Sequence, residues 1–382
     1  MHCGGLVFVL GGAAAQFAVP ESNGFALPKL TDWGSRGQLK DPEALKQPAV
    51  STSLLKDLEE AVSWKAAVPS RFANVTLGDA QRQMGVLQDA DNVYALPSRE
   101  FTAEELANVP ESFDWRESPI AAQCSSLSEI RDQSNCGSCW AFGSVEAMTD
   151  RRCVLSNASV SEHLSAQDVT SCDHLGDLGC SGGIPSTVYT YYELEGIVTG
   201  GNYGDTSGCY AYELPPCAHH ANSTDYPTCS GEVRTPKCAR ACDDTQFKWD
   251  ECKIKGGRSY SICDSNDGTT TDGATQCSVK MAAEIYQNGP ITGMFFVHQD
   301  FLSYSSGVYS SSKLSPMLGG HAIKILGFGI EDDTPYWLVA NSWNEEWGEN
   351  GYFKILRGSN ECQIEDPVIN GGPVAGLLPR LS

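Results

Sequence analysis

Gln133-Ser134-Asn135-Cys136-Gly137-Ser138-Cys139-Trp140-Ala141-Phe142 is the densest chemical signal in this 382-residue chain. It runs into a helical pattern, with Ala141, Val145 and Met148 at i, i+4 and i+7 and Phe142 alongside. A sulfur at a helix N-terminus meets the positive end of the macrodipole and free backbone N–H groups. Both favour the thiolate, the reactive form of cysteine, so Cys139 reads as a nucleophile. Such a nucleophile needs a base, which need not be near it in sequence. His321, in Gly319-Gly320-His321-Ala322-Ile323 at the start of an expected strand, is the candidate. Asn341, in Asn341-Ser342-Trp343, supplies an amide oxygen that accepts from the far imidazole nitrogen and fixes the tautomer. Trp343 both packs and shields that bond from water. The Gln133 side-chain N–H, with the Cys139 backbone N–H, makes an oxyanion site.

The rest of the chain gives this cluster its setting. Asp and Glu number 48 against 26 Lys and Arg, a net charge of −22, which disfavours nucleic acid as a partner. With 41% hydrophobic and 19% charged residues the chain supports a full core. No apolar run reaches the roughly 18 residues of a membrane span. Sixteen cysteines point to an oxidising compartment. Residues 1–19 read as a signal peptide, with a small apolar stretch from Gly5 to Ala15. Residues 20–109 contain no cysteine and no evident catalytic cluster, and read as a propeptide. Within them Leu54, Leu55, Leu58, Ala61 and Val62 fall at helical spacing, and Pro97 and Pro110 bracket an exposed, cleavable linker. Every cysteine except Cys3 lies from Cys124 onward, so the stapled domain begins near Pro110. A second helix is expected through Met281–Gln287, and strands at 321–325, 336–339 and 352–356. Helices first and strands later give an α+β body in two lobes. Asn74, Asn157 and Asn222 each begin an Asn-x-Ser/Thr acceptor triplet for a glycan.

Cys136-Gly137-Ser138-Cys139-Trp140, followed by Gly320-His321 and Asn341-Ser342-Trp343 in that order, resembles the papain-like cysteine proteases. The stretches EIRDQ, CGSCWAFG, GGHAIKILGFG, PYWLVANSWN and WGENGYFKILRG narrow the resemblance to the cathepsin B group, from about Pro110 to Ile369. The resemblance implies a papain-like two-lobed fold, a helical left lobe and a β-barrel-like right lobe with the cleft between them. It implies a protease domain over 110–372 and a tail at 373–382. Gly182, Gly183 and Gly320 would line the substrate cleft, where glycine lets a peptide backbone approach. His321 lies 182 residues beyond Cys139 and Asn341 lies 202 beyond, against about 130–150 in the papain type. The excess implies an insertion, and Pro216 to about 230 resembles the group's occluding loop. His219 and His220 would there bind a substrate's C-terminal carboxylate, so that the enzyme removes dipeptides besides cutting internally. The implied bridges are Cys124–Cys153, Cys136–Cys180, Cys172–Cys238, Cys209–Cys242 and Cys217–Cys229, with Cys263–Cys277 a further guess.

Several positions depart from the group's pattern. Its adjacent-cysteine pair is reduced to Cys172-Asp173. Pro367 stands at the floor of the S2 pocket, favouring apolar P2 residues unless Glu365 or Asp366 takes the acidic role. Asp225 or Tyr226 falls where the loop's pinning arginine is expected, opposite Glu346, which implies a looser loop; a pin from Asp132 to His219 is retained. The implied partners are peptide and protein substrates, the chain's own propeptide as intramolecular inhibitor, and cystatin-like inhibitors. The expected protein is a monomer with no metal or organic cofactor, in a lysosome, vacuole or other acidic compartment, or outside the cell. Three other readings compete. The Cys136–Cys139 pair could serve a disulfide oxidoreductase, but no thioredoxin-like context accompanies it. Cys217, His219, His220 and Cys229 could bind zinc, but adjacent histidines poorly fit one tetrahedral ion. A catalytically weak homologue could act as a binding protein, but all four catalytic positions are intact.

Overall fold

The computed structural model describes residues 30–31, 39–89, 95–216, 233–264, 267–268, 275–312, 315–366 and 373–376. The expected signal peptide, His219, His220, Asn222, the Cys217–Cys229 bridge, Asp225, Tyr226 and Pro367 lie outside these residues. The helix opened by the sequence signal spans Cys139–Leu155. Its Ala141/Val145/Met148 face is only part of what it buries: every residue from Cys139 to Cys153 is buried, including Glu146, Asp150 and Arg151. A helix covered on all sides lies at the centre of a fold. Here helices Ala166–Cys172 and Pro185–Leu194 pack on one side and the long strand Met317–Glu331 on the other. Two of the buried charges are paired, whereas burial raises the Glu146 carboxyl to about 8. Arg151 meets Glu284 at 2.7 Å, and Lys324 meets Asp150 at 2.8 Å.

The strand Met317–Glu331 is the spine of the sheet. It pairs antiparallel with Ile291–His298 and with Thr334–Ala340, and the latter pairs with Tyr352–Leu356. Asp332 and Asp333 both adopt positive φ and close the hairpin after the spine, as a two-residue turn between right-twisted strands requires. The sheet order runs Val308–Tyr309, Tyr352–Leu356, Thr334–Ala340, Met317–Glu331, Ile291–His298, Val374–Gly376, Ser259–Ser261. Its two ends do not pair with each other among the described residues, so the barrel-like right lobe is an open, curled sheet. Helix Gln276–Asn288 packs on this lobe.

Two cores result. Trp140, Phe142, Val145, Met148, Val169, Val188 and Tyr189 form the helical one. Phe295, Phe301, Trp337, Trp343, Trp347 and Phe353 anchor the other. The segment before Pro110 joins the second core. Helix Thr52–Ala61 buries Leu58, Trp64 donates to the Ser310 carbonyl at 2.8 Å, and Phe72 meets Trp343 edge-on at 5.2 Å. The linker at 98–109 is largely exposed, as expected, and is also anchored at a few points. Arg99 hydrogen-bonds Glu284 and Glu105, Thr102 and Glu105 make a capping box for helix Ala103–Ala107, and Gln287 donates to the Glu105 carbonyl at 2.7 Å. Four of the five implied bridges are formed, Cys124–Cys153, Cys136–Cys180, Cys172–Cys238 and Cys209–Cys242, and so is Cys263–Cys277. Cys252 is also disulfide-bonded. Asn74 and Asn157 are exposed.

Candidate active site

Cys139 is the first residue of its helix, and Gln133 precedes it in a loop closed by the Cys136–Cys180 bridge and a Gly137 N–H bond to the Cys180 carbonyl at 3.0 Å. His321 sits in the spine strand opposite Phe295, and Asn341 directly follows strand Thr334–Ala340. The spine strand packs on the Cys139 helix and pairs with strand Thr334–Ala340, so the sheet brings His321 and Asn341 to one place. His321 Nε2 lies 2.8 Å from Asn341 Oδ1. That oxygen accepts, so Nε2 carries the proton and Nδ1 is left as the basic nitrogen. Nδ1 is buried and has no protein hydrogen-bond partner. The Trp343 ring lies 4.8 Å from the imidazole, tilted by 33°, and covers the His321–Asn341 bond. Gln133 is held at its oxygen by the Ser342 hydroxyl at 2.7 Å, which aims its amide N–H groups away from the sheet. One donates to the Cys136 carbonyl at 2.7 Å and the other to Gln83 at 3.0 Å.

Gln83 belongs to a stretch of the chain's own N-terminal segment, 83–87, that fills the cleft. The Gly85 N–H points at the Cys139 sulfur, 3.2 Å away. Gly183 donates to the Gly85 carbonyl at 2.9 Å, Val86 donates to Gly320 at 3.0 Å, and Leu87 donates to Gly183 at 2.9 Å. Val86 thus bridges the two glycine walls, parallel to Gly183 and antiparallel to Gly320. Its side chain packs in a cluster with Cys139, Met294, Phe296, Met317 and Ala322. Gly182 faces Leu87. Only glycine fits at 85, because a Cβ there would stand 1.8 Å from the Gly137 carbonyl oxygen.

Arg71 locks the same segment from below. Its guanidinium is buried and reaches Gln83 Oε1 at 3.0 and 3.1 Å, Asp132 at 3.1 Å, and the Trp343 and Ser134 carbonyls at 3.1 and 2.9 Å. The Asp132 carboxylate assigned to His219 by resemblance is therefore held here by Arg71, with further bonds from the Ser134 N–H and Asn344. Glu346 likewise accepts from Ser70, at 2.9 Å. Glu365 is not free for an S2 pocket: Trp337, Thr275, Gly358 and Asn360 all donate to it.

This cover reverses the electrostatics expected of Cys139. Burial pushes the thiol up to about 11, against hydrogen bonds from Ala322, Gly85, Trp140 and its own backbone. The helix N-terminus does not compensate for lost water. Burial also lowers His321 to about 4, opposed by the Asn341 bond and aided by the Arg71 charge. Both groups are neutral between those values, so the covered site holds no thiolate–imidazolium pair. The sequence reading identified the cleft walls but not Arg71, Gln83, Gly85 or Val86. The Met84-Gly85-Val86-Leu87 run, a glycine within an apolar stretch, was the available signal.

A cleft between a helix carrying a cysteine and a sheet carrying a histidine and an asparagine defines a class of thiol hydrolase. The sequence model described as papain family cysteine protease matches residues 109–371, and the chain belongs to that family. It is 40% identical over 324 residues to cathepsin B-like cysteine proteinase 6 of Caenorhabditis elegans, covering 82% of this chain and 81% of that protein. It is also 40% identical over 312 residues to the cathepsin B-like cysteine proteinase of Schistosoma japonicum, covering 81% and 86%. Among solved structures it is similar to procathepsin B S9 from Trypanosoma congolense, with 30% identity, a TM-score of 0.71, and coverage of 87% of this chain and 99% of that one. The protein is a cathepsin B-like cysteine peptidase with a papain-like α+β fold.

Proposed function

We propose that the chain is a zymogen whose peptidase cuts by covalent Cys–His–Asn catalysis. Residues 20–109 act as inhibitory propeptide, 110–372 as protease domain, 1–19 as signal peptide and 373–382 as tail. The observation that carries this reading is the segment at 83–87, seated in the cleft with a backbone N–H on the sulfur and a carbonyl on Gln133. An N–H, unlike a carbonyl carbon, gives the nucleophile nothing to attack, so the segment blocks without being cut. Removal of the segment rehydrates Cys139 and His321, and proton transfer from thiol to imidazole makes the reactive pair. The Cys139 sulfur then adds to a substrate carbonyl, and Gln133 and the Cys139 N–H hold the oxyanion. His321 gives its proton to the leaving amine and afterwards takes one from water to release the acyl group. Asn341 keeps the ring oriented throughout.

His219 and His220 would bind the C-terminal carboxylate of a substrate and add dipeptide removal to internal cleavage. Secretion to an acidic compartment or outside the cell, glycans on Asn74, Asn157 and Asn222, and restraint by cystatin-like inhibitors complete the reading. The test uses acid-activated protein and an epoxide inhibitor, with peptide mass spectrometry to locate the adduct. Hydrolysis of a peptide with a free or amidated C-terminus is compared in the parent and in His219→Ala/His220→Ala. An adduct on Cys139, and dipeptide release lost in the double variant, are expected. An unmodified Cys139 with no hydrolysis overturns the catalytic reading.

A further inference from the structure

Strand Ser259–Ser261 is the last in the sheet order, and the stretch 97–99 lies along it. The Ser261 N–H donates to the Pro97 carbonyl at 3.0 Å, and the Arg99 N–H donates to the Ser261 carbonyl at 2.8 Å, a parallel bridge centred on Ser98. From this bridge Arg99 sets its guanidinium on the Glu284 carboxylate. That carboxylate is fully covered, whereas the Arg99 side chain above it is 21% exposed, so Arg99 is what separates it from water. Glu284 is also fixed from behind. Its Oε1 accepts from Arg151 at 2.7 Å and from the Tyr260 hydroxyl at 2.6 Å, and its Oε2 accepts from Asn288 at 3.2 Å. Against its burial, Arg151 and then Arg99 hold the Glu284 carboxyl below the usual range, so it stays an anion suited to a guanidinium. Two aromatic faces flank the cation, Phe101 at 4.4 Å and Tyr260 at 5.8 Å from ring centre to guanidinium carbon. Phe101 itself packs against the core of the sheet lobe. Gln287 donates to the Glu105 carbonyl at 2.7 Å and holds the far end of the segment. Arg151 stands twelve residues beyond Cys139 on the same helix, about 18 Å at 1.5 Å per residue, so this site is separate from the cleft.

We propose that Ser261, Tyr260, Glu284 and Gln287 form an exosite of the activated enzyme, which captures an extended segment of a protein substrate carrying arginine with an aromatic residue two positions later. The proposal rests on the reading of residues 20–109 as a segment lost on activation. In the full chain that segment fills the site in cis. Its release takes two backbone bonds from Ser261 and the guanidinium from Glu284, while Arg151, Tyr260 and Asn288 keep the carboxylate in place. An incoming segment restores the same set. The backbone pair accepts any sequence and fixes the register along the strand. The buried carboxylate selects arginine, whose planar fork fits it, and the ring of Tyr260 favours that flat cation over an ammonium. A substrate held there is presented to the cleft at a raised effective concentration without any new contact at the cleaved bond.

The test uses acid-activated enzyme blocked at Cys139 with an epoxide inhibitor, so that the probe is not cut, and its mass is measured first. The probe is a fluorescein-labelled synthetic peptide of residues 96–107, followed by fluorescence anisotropy. Saturable binding is expected. It weakens at least about tenfold when the peptide carries Arg99→Ala, and also weakens when the Arg99 backbone nitrogen is methylated; neither change touches the fold of the enzyme. Gln287→Ala in the enzyme, at a half-buried position, weakens binding about threefold and so places the probe at this rim rather than in the cleft. The uncleaved chain carrying Cys139→Ala, whose site is already filled, does not bind the probe. In unblocked enzyme, a substrate with this segment joined to the cleaved sequence by a flexible linker of about 20 residues has a KM about tenfold below that of its Arg99→Ala counterpart. Equal binding of the parent and Arg99→Ala peptides, or equal KM values for the two substrates, overturns the proposal. An enzyme whose mass shows loss of residues 97–107 and that binds no peptide overturns the exosite alone, whereas a mass that retains them overturns the propeptide reading as well.

Discussion

Substituting Gly85→Ala in the full chain should unlatch the inhibitory segment while leaving the protease domain intact. The new Cβ would stand 1.8 Å from the Gly137 carbonyl oxygen and 2.4 Å from its carbon, backbone atoms that no rotamer change can move. Ordinary contact begins near 3.4 Å, so the segment must withdraw by more than an ångström. Four hydrogen bonds depend on its present depth: Gly85 to Cys139, Gly183 to Gly85, Val86 to Gly320 and Leu87 to Gly183. At about 0.5–1.5 kcal/mol each, losing three of them costs about 3 kcal/mol of closure free energy. That converts to roughly a hundredfold more of the open state. The assay is the rate at which iodoacetamide alkylates Cys139 in intact chain at fixed pH, read by mass spectrometry. Gly268→Ala, where a Cβ meets only Gln276 Nε2 at 4.0 Å, is the control. A Gly85→Ala rate within about threefold of the parent would refute the argument that backbone contact at this glycine closes the site.

The pH profile of alkylation should differ before and after removal of the segment. In the full chain the rate climbs with pH toward the Cys139 value of about 11, whereas the activated enzyme reacts at acidic pH because its thiolate is already formed. Arg71→Met removes a buried cation with bonds to Gln83, Asp132, Ser134 and Trp343, leaving Asp132 short of a partner. Breaking such a pair costs about 3–5 kcal/mol, so the urea midpoint of the full chain falls, while kcat/KM of the activated enzyme, which lacks Arg71, is unchanged. Gln133→Ala should lower kcat by about 10²–10³ with little change in KM, measured on a short peptide.

What the sequence disclosed and what it hid follow from the range of the interactions. Cys139, His321 and Asn341 were legible because each sits in a run whose local chemistry names it, and strand 352–356 was legible because its period is local. The glycine walls and most bridges came with the family resemblance. The raised Cys139 pKa was illegible because it depends on Val86 and Gly85, more than fifty residues away, arriving over the sulfur. Nothing in the sequence around Arg71 marks it as buried, because its contacts with residues 83, 132, 134 and 343 are mostly distant along the chain. The exposure of 98–109 followed from its acidic and polar composition, but its anchoring did not, because Arg99 is held by the distant Glu284.

Leu58, Trp64, Phe72 and Leu77 belong to the same core cluster as Phe301, Trp343 and Trp347. The inhibitor is therefore also part of the mould in which the sheet lobe is cast. An enzyme trimmed of these residues would keep a shape whose core they had helped to complete. Its lifetime is then set by the height of the barrier to unfolding rather than by an equilibrium, and denaturation becomes a one-way event. Activation would act as a clock as well as a switch: each molecule, once released, has a finite working life.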